Sequence, residues 1–257
     1  MKTKAMLVVL GSLLVTSAPG SSPHAVSRLL QHGLRCSGYV ALTFDDGPSP
    51  VYTSQVLRVF ATSRDAAGQR IRGTFFLVGA RAQNWPDLVS ALAAARNEVG
   101  NHSYSHPFMD ELPPDAAENE ILGTNQILSS ITHQQVLLYR PPFARTTTAI
   151  ESYVRTQNMT TALWTVDSRD WAGATAVDIA TIGSRAKDGD IVLLHDSYAS
   201  VVSALPQMLE RLRTRGLCPG KVMPTDTPTV TWYGADGTPM RHYVRAAAWP
   251  VEGDDDV

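Results

Sequence analysis

The sequence predicts an α/β fold, a distorted (β/α) barrel of about seven parallel strands. Short apolar runs alternate with stretches of helical period along most of the 257 residues, and that alternation is the mark of parallel β/α architecture. No Gly-rich dinucleotide fingerprint follows any apolar run, which argues for a closed barrel over an open nucleotide-binding sheet. The polar residues of chemical interest fall at the carboxyl ends of the apolar runs, where such barrels place their chemistry.

The predicted strands are residues 39–44, 73–78, 137–139, 161–165 and 190–194, with a weaker one at 98–101 and a last one at 221–223. Between them, helices are expected at 50–62, 86–97, 115–130, 147–156, 175–186 and 201–215. Ser49 is a natural N-cap for the first, with Pro50 suited to the first helical position. Asp115, with Glu118 three residues on, fits an acidic capping box. The domain so defined covers 36–223. From Pro224 the composition shifts to Thr, Pro, Gly and Asp, ending in Asp254-Asp255-Asp256. Residues 229–233 and 241–244 have the pattern of a hairpin within this peripheral tail, 224–257, whose acidic end frays.

Composition narrows the function. Lys plus Arg number 22 against 24 for Asp plus Glu, a balance that gives no electrostatic case for nucleic acid. Aromatic residues are 7% of the chain, so any sugar-stacking surface is small and local. The N-terminus reads as an export signal over 1–18. Lys2 and Lys4 form a positive start, 5–15 an apolar run broken only by Gly11 and Ser12, and Thr16-Ser17-Ala18 a small-residue cleavage site. Pro19 disfavours a cut after Ala18, which makes Ala25 a second candidate. The apolar run is too short for a span of ~20 residues, so the mature protein is expected to be secreted and free of the membrane. In an exported chain the two cysteines, Cys36 and Cys218, point to one disulfide joining the start of the domain to its end; two free buried thiols are the other reading.

Five strand ends carry chemistry. Asp45-Asp46 follows the first strand and precedes Gly47-Pro48. Alone such a pair is most often a solvated turn, but at a strand-to-turn junction both carboxylates can face one pocket. His102 and His106 are four apart and can face one metal if the segment makes a helical turn. Chance surface pairs are common; a carboxylate from another strand end turns the pair into a two-His, one-Asp site with positions left for water and substrate. Arg140-Pro141-Pro142-Phe143 is a rigid loop able to hold an Arg and a backbone N–H, or a plain turn with a surface Arg. Asp170-Trp171 follows the fourth strong strand, and reads alternatively as a helix cap with a core Trp. His195 ends a buried strand, where a lone His is more often a satisfied core group.

Taken in order, TFDDGP, NHSYSHP, RPPF, VDSRDW and LLHD resemble the polysaccharide deacetylase family, the carbohydrate esterases that share the NodB homology domain. The resemblance covers residues 39–223. It implies a NodB-like barrel, a bound Zn2+ (or Co2+ or another divalent metal in its place) and hydrolysis of acetyl groups from a polysaccharide. Asp46, His102 and His106 would bind the metal. Asp45 would be the base, oriented by Arg140, and His195 the acid, held by Asp170. Trp171 and Leu193 would line the acetyl pocket, and the Phe143 N–H would face the oxyanion. Many relatives carry Tyr where this chain has Phe143, which removes a phenol and keeps the backbone donor.

The implied partner is an acetylated polysaccharide or oligosaccharide, acted on by a monomer. The sequence around the two cysteines resembles secreted acetylxylan esterases and chitin deacetylases and is closer to the former, so O-acetylated xylan is the favoured substrate. N-deacetylation of chitin, chitooligosaccharide or peptidoglycan is the alternative, because both reactions pass through one intermediate. A non-catalytic carbohydrate-binding relative would lack the base, the acid or a ligand, and this chain has them all.

Overall fold

The computed structural model describes residues 35–226, 230–233, 239–242 and 244–249. The export signal and the acidic end of the tail lie outside the described residues, as do His24 and His32. Among the described residues no helix is long and apolar enough to cross a membrane.

In chain order the elements are β1 (Gly38–Gly47), α1 (Thr53–Thr62), β2 (Thr74–Leu77), α2 (Gly79–Asn84), α3 (Pro86–Ala94), β3 (Glu98–Asn101) and α4 (Pro114–Thr132). There follow β4 (Leu138–Tyr139), α5 (Thr148–Thr156), β5 (Thr160–Thr161), β6 (Val166–Asp167), α6 (Ala176–Gly183), β7 (Ile191–His195), α7 (Ala199–Thr214) and β8 (Leu217–Pro224). The tail adds β9 (Val230–Tyr233), β10 (Pro239–His242) and β11 (Val244–Ala247).

Strand β1 is the hub. It pairs in parallel with β2, with β7 and, over its first residues, with β8. Parallel pairing continues from β2 through β3 and β4 to β5, and β6 pairs in parallel with β7. The strand expected at 161–165 is therefore two short strands. The chain leaves β4 at Thr161 and reaches β7 at Val166, so this one crossing closes the ring without an intervening helix. The result is the nearly closed parallel barrel expected, with β11 added antiparallel to β8. The tail is thus more than an appendage, because it supplies an edge strand to the main sheet. Its β9 and β10 pair as an antiparallel hairpin.

Alternation along the strands divides the apolar residues into two cores. Ala41, Phe76, Leu138, Ala162, Ile191 and Val222 fill the barrel. Leu42, Phe44, Phe75, Val192 and Leu194 face the helices. There Phe44 stacks on Phe75 with centroids 4.8 Å apart, and Phe60 of α1 meets Phe44 edge-on at 5.8 Å, two geometries that aromatic quadrupoles favour. Helix starts differ from expectation in two places. Ser49 caps the turn before α1, its Oγ accepting from the Tyr52 N–H at 3.1 Å, while α1 itself begins at Thr53. Helix α4 has Pro113 at its N-cap and no side-chain cap bond, so the Asp115 capping box does not form; Pro114 fills the first turn and has no N–H to be capped. Thr147 and Thr175, the first residues of the expected helices, are the N-caps of α5 and α6, accepting from the Ile150 and Asp178 N–H groups.

Cys36 and Cys218 are disulfide-bonded across 182 residues. The bridge ties the chain just before β1 to β8, its parallel neighbour, where Tyr39 pairs with Cys218.

Candidate active site

A bulge in β1 builds the carboxylate pair. Asp45 pairs with Phe76 of β2 and Gly47 with Leu77, so Asp46 is the extra residue. Its φ of 68° is a left-handed conformation that non-Gly residues rarely adopt. An ordinary strand would send Asp45 and Asp46 to opposite faces; the extra residue re-aims the second side chain into the pocket of the first. The main-chain carbonyl of Asp46 accepts from the guanidinium of Arg81, at the start of α2.

The two histidines follow β3 in a loop, and the helical turn expected for His-x-x-x-His does not form. Ser103 and His106 both have positive φ, which folds the loop back on itself. Its backbone is fixed from below. Asn101 Oδ1 accepts from the Ser103 N–H, and Glu120 of α4 accepts from the N–H groups of Tyr104 and Ser105 and from the Ser105 hydroxyl. The loop brings His102 Nε2 to 3.4 Å and His106 Nε2 to 3.0 Å from Asp46 Oδ1, and one ligand atom from each of the three residues lies within 4.8 Å of the others.

These residues fit a divalent cation on two counts. Asp46 Oδ1 is buried, and neither nearby imidazole makes a hydrogen bond to it. His102 Nδ1 lies 2.7 Å from the carbonyl oxygen of Arg140. A carbonyl only accepts, so Nδ1 is the donor there and Nε2 is the ring atom turned toward the carboxylate. A neutral imidazole Nε2 and a carboxylate oxygen at this separation are both donors of electron pairs to a divalent cation, and such a cation between them would satisfy both. A second cluster, Cys36, Asp65 and Cys218, does not fit, because its sulfurs are already bonded to each other.

Arg140 is completely buried, against the surface position that its loop allowed. Its guanidinium donates to Asp45 Oδ1 at 2.7 Å, to Thr43 Oγ1 at 2.8 Å and to the carbonyls of Ala162 and Leu163 at 2.8 and 3.0 Å. It lies 4.0 Å over the ring of Phe76. A buried ion pair is tolerated when the remaining donors are satisfied in this way. Pairing of β1 with β7 sets Asp45 opposite His195. Asp170 Oδ1 lies 2.9 Å from His195 Nδ1, and its Oδ2 accepts from the His195 N–H at 2.7 Å. Burial works against charge on His195, but the Asp170 hydrogen bond and the carboxylates of Asp45, Asp170 and Asp46 outweigh it and push the pKa up to about 9.

The remaining predicted residues surround this centre. Phe143, at φ 56°, is 54% exposed and packs its ring 4.6 Å from that of His106. The turn around it uses the N–H groups of Ala144 and Arg145, leaving the Phe143 N–H outside those two bonds. Trp171 is 52% exposed and donates its indole N–H to Asp167. Leu193 is buried in β7, opposite Thr43 and Asp167. The proposed metal-binding and catalytic residues thus gather at the carboxyl ends of the strands, with Phe143 beside His106.

Asp196 escaped notice in the sequence. It is fully buried beneath the β1 loop and accepts from the Thr53 hydroxyl. Burial, against that hydrogen bond, pushes its pKa up to about 6. Its position next to His195 was the only available signal. Arg81 and Glu120 had none, because each acts on backbone from a helix that carries no motif.

The family profile described as polysaccharide deacetylase matches residues 32–162. The chain is 33% identical over 193 residues to a bifunctional xylanase/xylan deacetylase of Cellvibrio japonicus, covering 75% of this chain and 28% of that protein. It is 34% identical over 178 residues to the peptidoglycan-N-acetylmuramic acid deacetylase PdaC of Bacillus subtilis, covering 69% of this chain and 36% of that one. The chain therefore spans about a third of the length of these relatives. Among solved structures, a family 4 carbohydrate esterase from Streptomyces lividans in complex with acetate superposes with a TM-score of 0.70 and 34% identity, over 83% of this chain and 98% of that one. Profile, fold and sequence identity agree that the chain belongs to the polysaccharide deacetylase family.

Proposed function

We propose that the protein is a secreted, zinc-dependent deacetylase that removes O-acetyl groups from a xylan-like polysaccharide. The observation that carries the reading is the Asp46 carboxylate, whose buried Oδ1 faces two imidazoles without a hydrogen bond, flanked by the Asp45–Arg140 and Asp170–His195 pairs. Asp46, His102 and His106 hold the metal. When bound, it lowers the pKa of a water towards ~7 and polarises the acetyl carbonyl.

The chain's own groups do the rest. Asp45 Oδ2 lies 3.8 Å from His102 Nε2, so the carboxylate borders the metal position. Arg140 holds its other oxygen, leaving Oδ2 to take a proton from the attacking water. The rigid Pro-Pro turn presents the Phe143 N–H to the developing oxyanion. His195, kept charged by Asp170, gives its proton to the departing sugar oxygen as the C–O bond breaks. The products are acetate and a free sugar hydroxyl. Trp171 and Leu193 border the acetyl methyl.

A second reading, N-deacetylation of an amino sugar, is supported by the peptidoglycan deacetylase among the relatives. The same groups serve it, with an amine leaving. Acetate release from acetylated xylan and from chitooligosaccharides, side by side with a chelated control, tests both. Chelator-sensitive release from xylan supports the first; release chiefly from chitooligosaccharides replaces it with the second. No release from either leaves peptidoglycan as the next substrate, and with no activity there the deacetylase reading fails.

A further inference from the structure

We infer that Asp196 is a positioning residue for the metal centre, acting through the β1 loop on Asp46. The inference rests on the metal-centre reading above and concerns a residue outside the proposed ligands and catalytic groups. Three contacts place it. Its Oδ2 accepts from the Thr53 hydroxyl, and Thr53 Oγ1 accepts in turn from the Ser49 N–H at 2.7 Å. The carboxylate also lies against Gly47, so closely that a Cβ there would sit 2.7 Å from Oδ1 and 2.8 Å from Oδ2. Gly47 and Ser49 bracket the turn that directly follows Asp46.

The peptide between Asp46 and Gly47 is thus gripped on several sides. Arg81 holds the carbonyl of Asp46, and the Gly47 carbonyl accepts from the Val78 N–H at 2.9 Å. Asp196 supplies the floor. The grip has work to do, because Asp46 sits at φ 68° in a bulge, a conformation that surrounding contacts must impose. Asp196 Oδ1 is itself buried without a hydrogen-bond donor. A buried carboxylate left half satisfied costs stability, so a purely structural optimum would replace it with an apolar side chain. Its adjacency to His195 gives the arrangement a second consequence. One strand end sets both the proposed acid and the loop bearing a ligand, and so fixes the distance between them.

The test is zinc affinity, measured with Zn2+ alone by competition against a chromogenic chelator, alongside thermal unfolding of the metal-free protein. Thr53→Val keeps the Asp196 charge but removes the hydrogen bond, and is expected to weaken zinc binding about 10-fold. Thr53→Ser retains the hydroxyl and is expected to bind within about twofold of wild type. Asp196→Ala is expected to weaken binding at least as much as Thr53→Val, whichever way its unfolding temperature moves. Wild-type zinc affinity in Thr53→Val overturns the inference, even if Asp196→Ala does not fold. Failure of the wild-type protein to bind zinc instead overturns the metal-centre reading, so the two failures are distinguishable.

Discussion

Asp170 grips His195 twice, through the ring at Nδ1 and through the main-chain N–H, at 2.9 and 2.7 Å. The double contact fixes the ring's direction and its protonation together. With Nδ1 bonded to the carboxylate, Nε2 is the atom left to face the reacting group.

This grip sets the pH range of the proposed acid. His195 carries its proton up to about pH 9 and loses it above. The raised pKa also stabilises the fold fully below the unfolded value of ~6.5, and that stabilisation fades as pH rises through the folded value. Asp170→Asn removes the first of the contributions that raise it. The alkaline limb of the rate profile is expected to move down by about one pH unit or more, read from kcat/KM against pH. An unmoved limb would mean that another group titrates there.

Base and ligand separate by metal content. Asp45→Asn is expected to retain zinc while turnover falls by roughly 10²–10⁴-fold. His102→Ala is expected to lose zinc together with turnover. Metal analysis of the two purified variants decides, and a fully loaded His102→Ala protein removes His102 from the ligand set.

Arg140→Met leaves Asp45 as a buried charge without its partner, so unfolding in denaturant should show a loss of about 3–5 kcal/mol. Adding Asp45→Asn removes that charge. The double variant is therefore expected to be more stable than the sum of the single effects implies; strict additivity would show that the pair is not coupled.

Replacing Cys36 and Cys218 together by Ser frees a loop of 182 residues. Stability is expected to fall by about 2–5 kcal/mol, measured by thermal unfolding with and without reductant. Zinc content in the folded protein is expected to stay unchanged, because the bridge ties the opposite ends of β1 and β8 from those that carry the site.

The alternation of apolar runs with helical stretches was enough to read the barrel, and the family resemblance supplied the proposed roles of motifs that each follow an apolar run. The geometry inside the motifs was not readable. His102 and His106 converge through two left-handed residues, which residue spacing does not reveal. The two carboxylates converge through a bulge whose neighbours, Arg81 on the Asp46 carbonyl and Asp196 against Gly47, come from distant segments. The helix cap at Asp115 failed because Pro113-Pro114 settles that terminus locally. The strand expected at 161–165 became two, because the same residues must leave one neighbour and reach another.

That crossing has a consequence for how the molecule assembles. The carbonyls of Ala162 and Leu163, within it, are two of the acceptors of Arg140, whose other partners lie on β1. A chain in which this segment has not docked lacks both acceptors and leaves the guanidinium short of the contacts that make its burial tolerable. Ring closure and the alignment of Asp45 are therefore one cooperative event. Opening of residues 160–167 would therefore remove two acceptors from Arg140 and is expected to disturb the proposed base before any ligand of the proposed metal is touched.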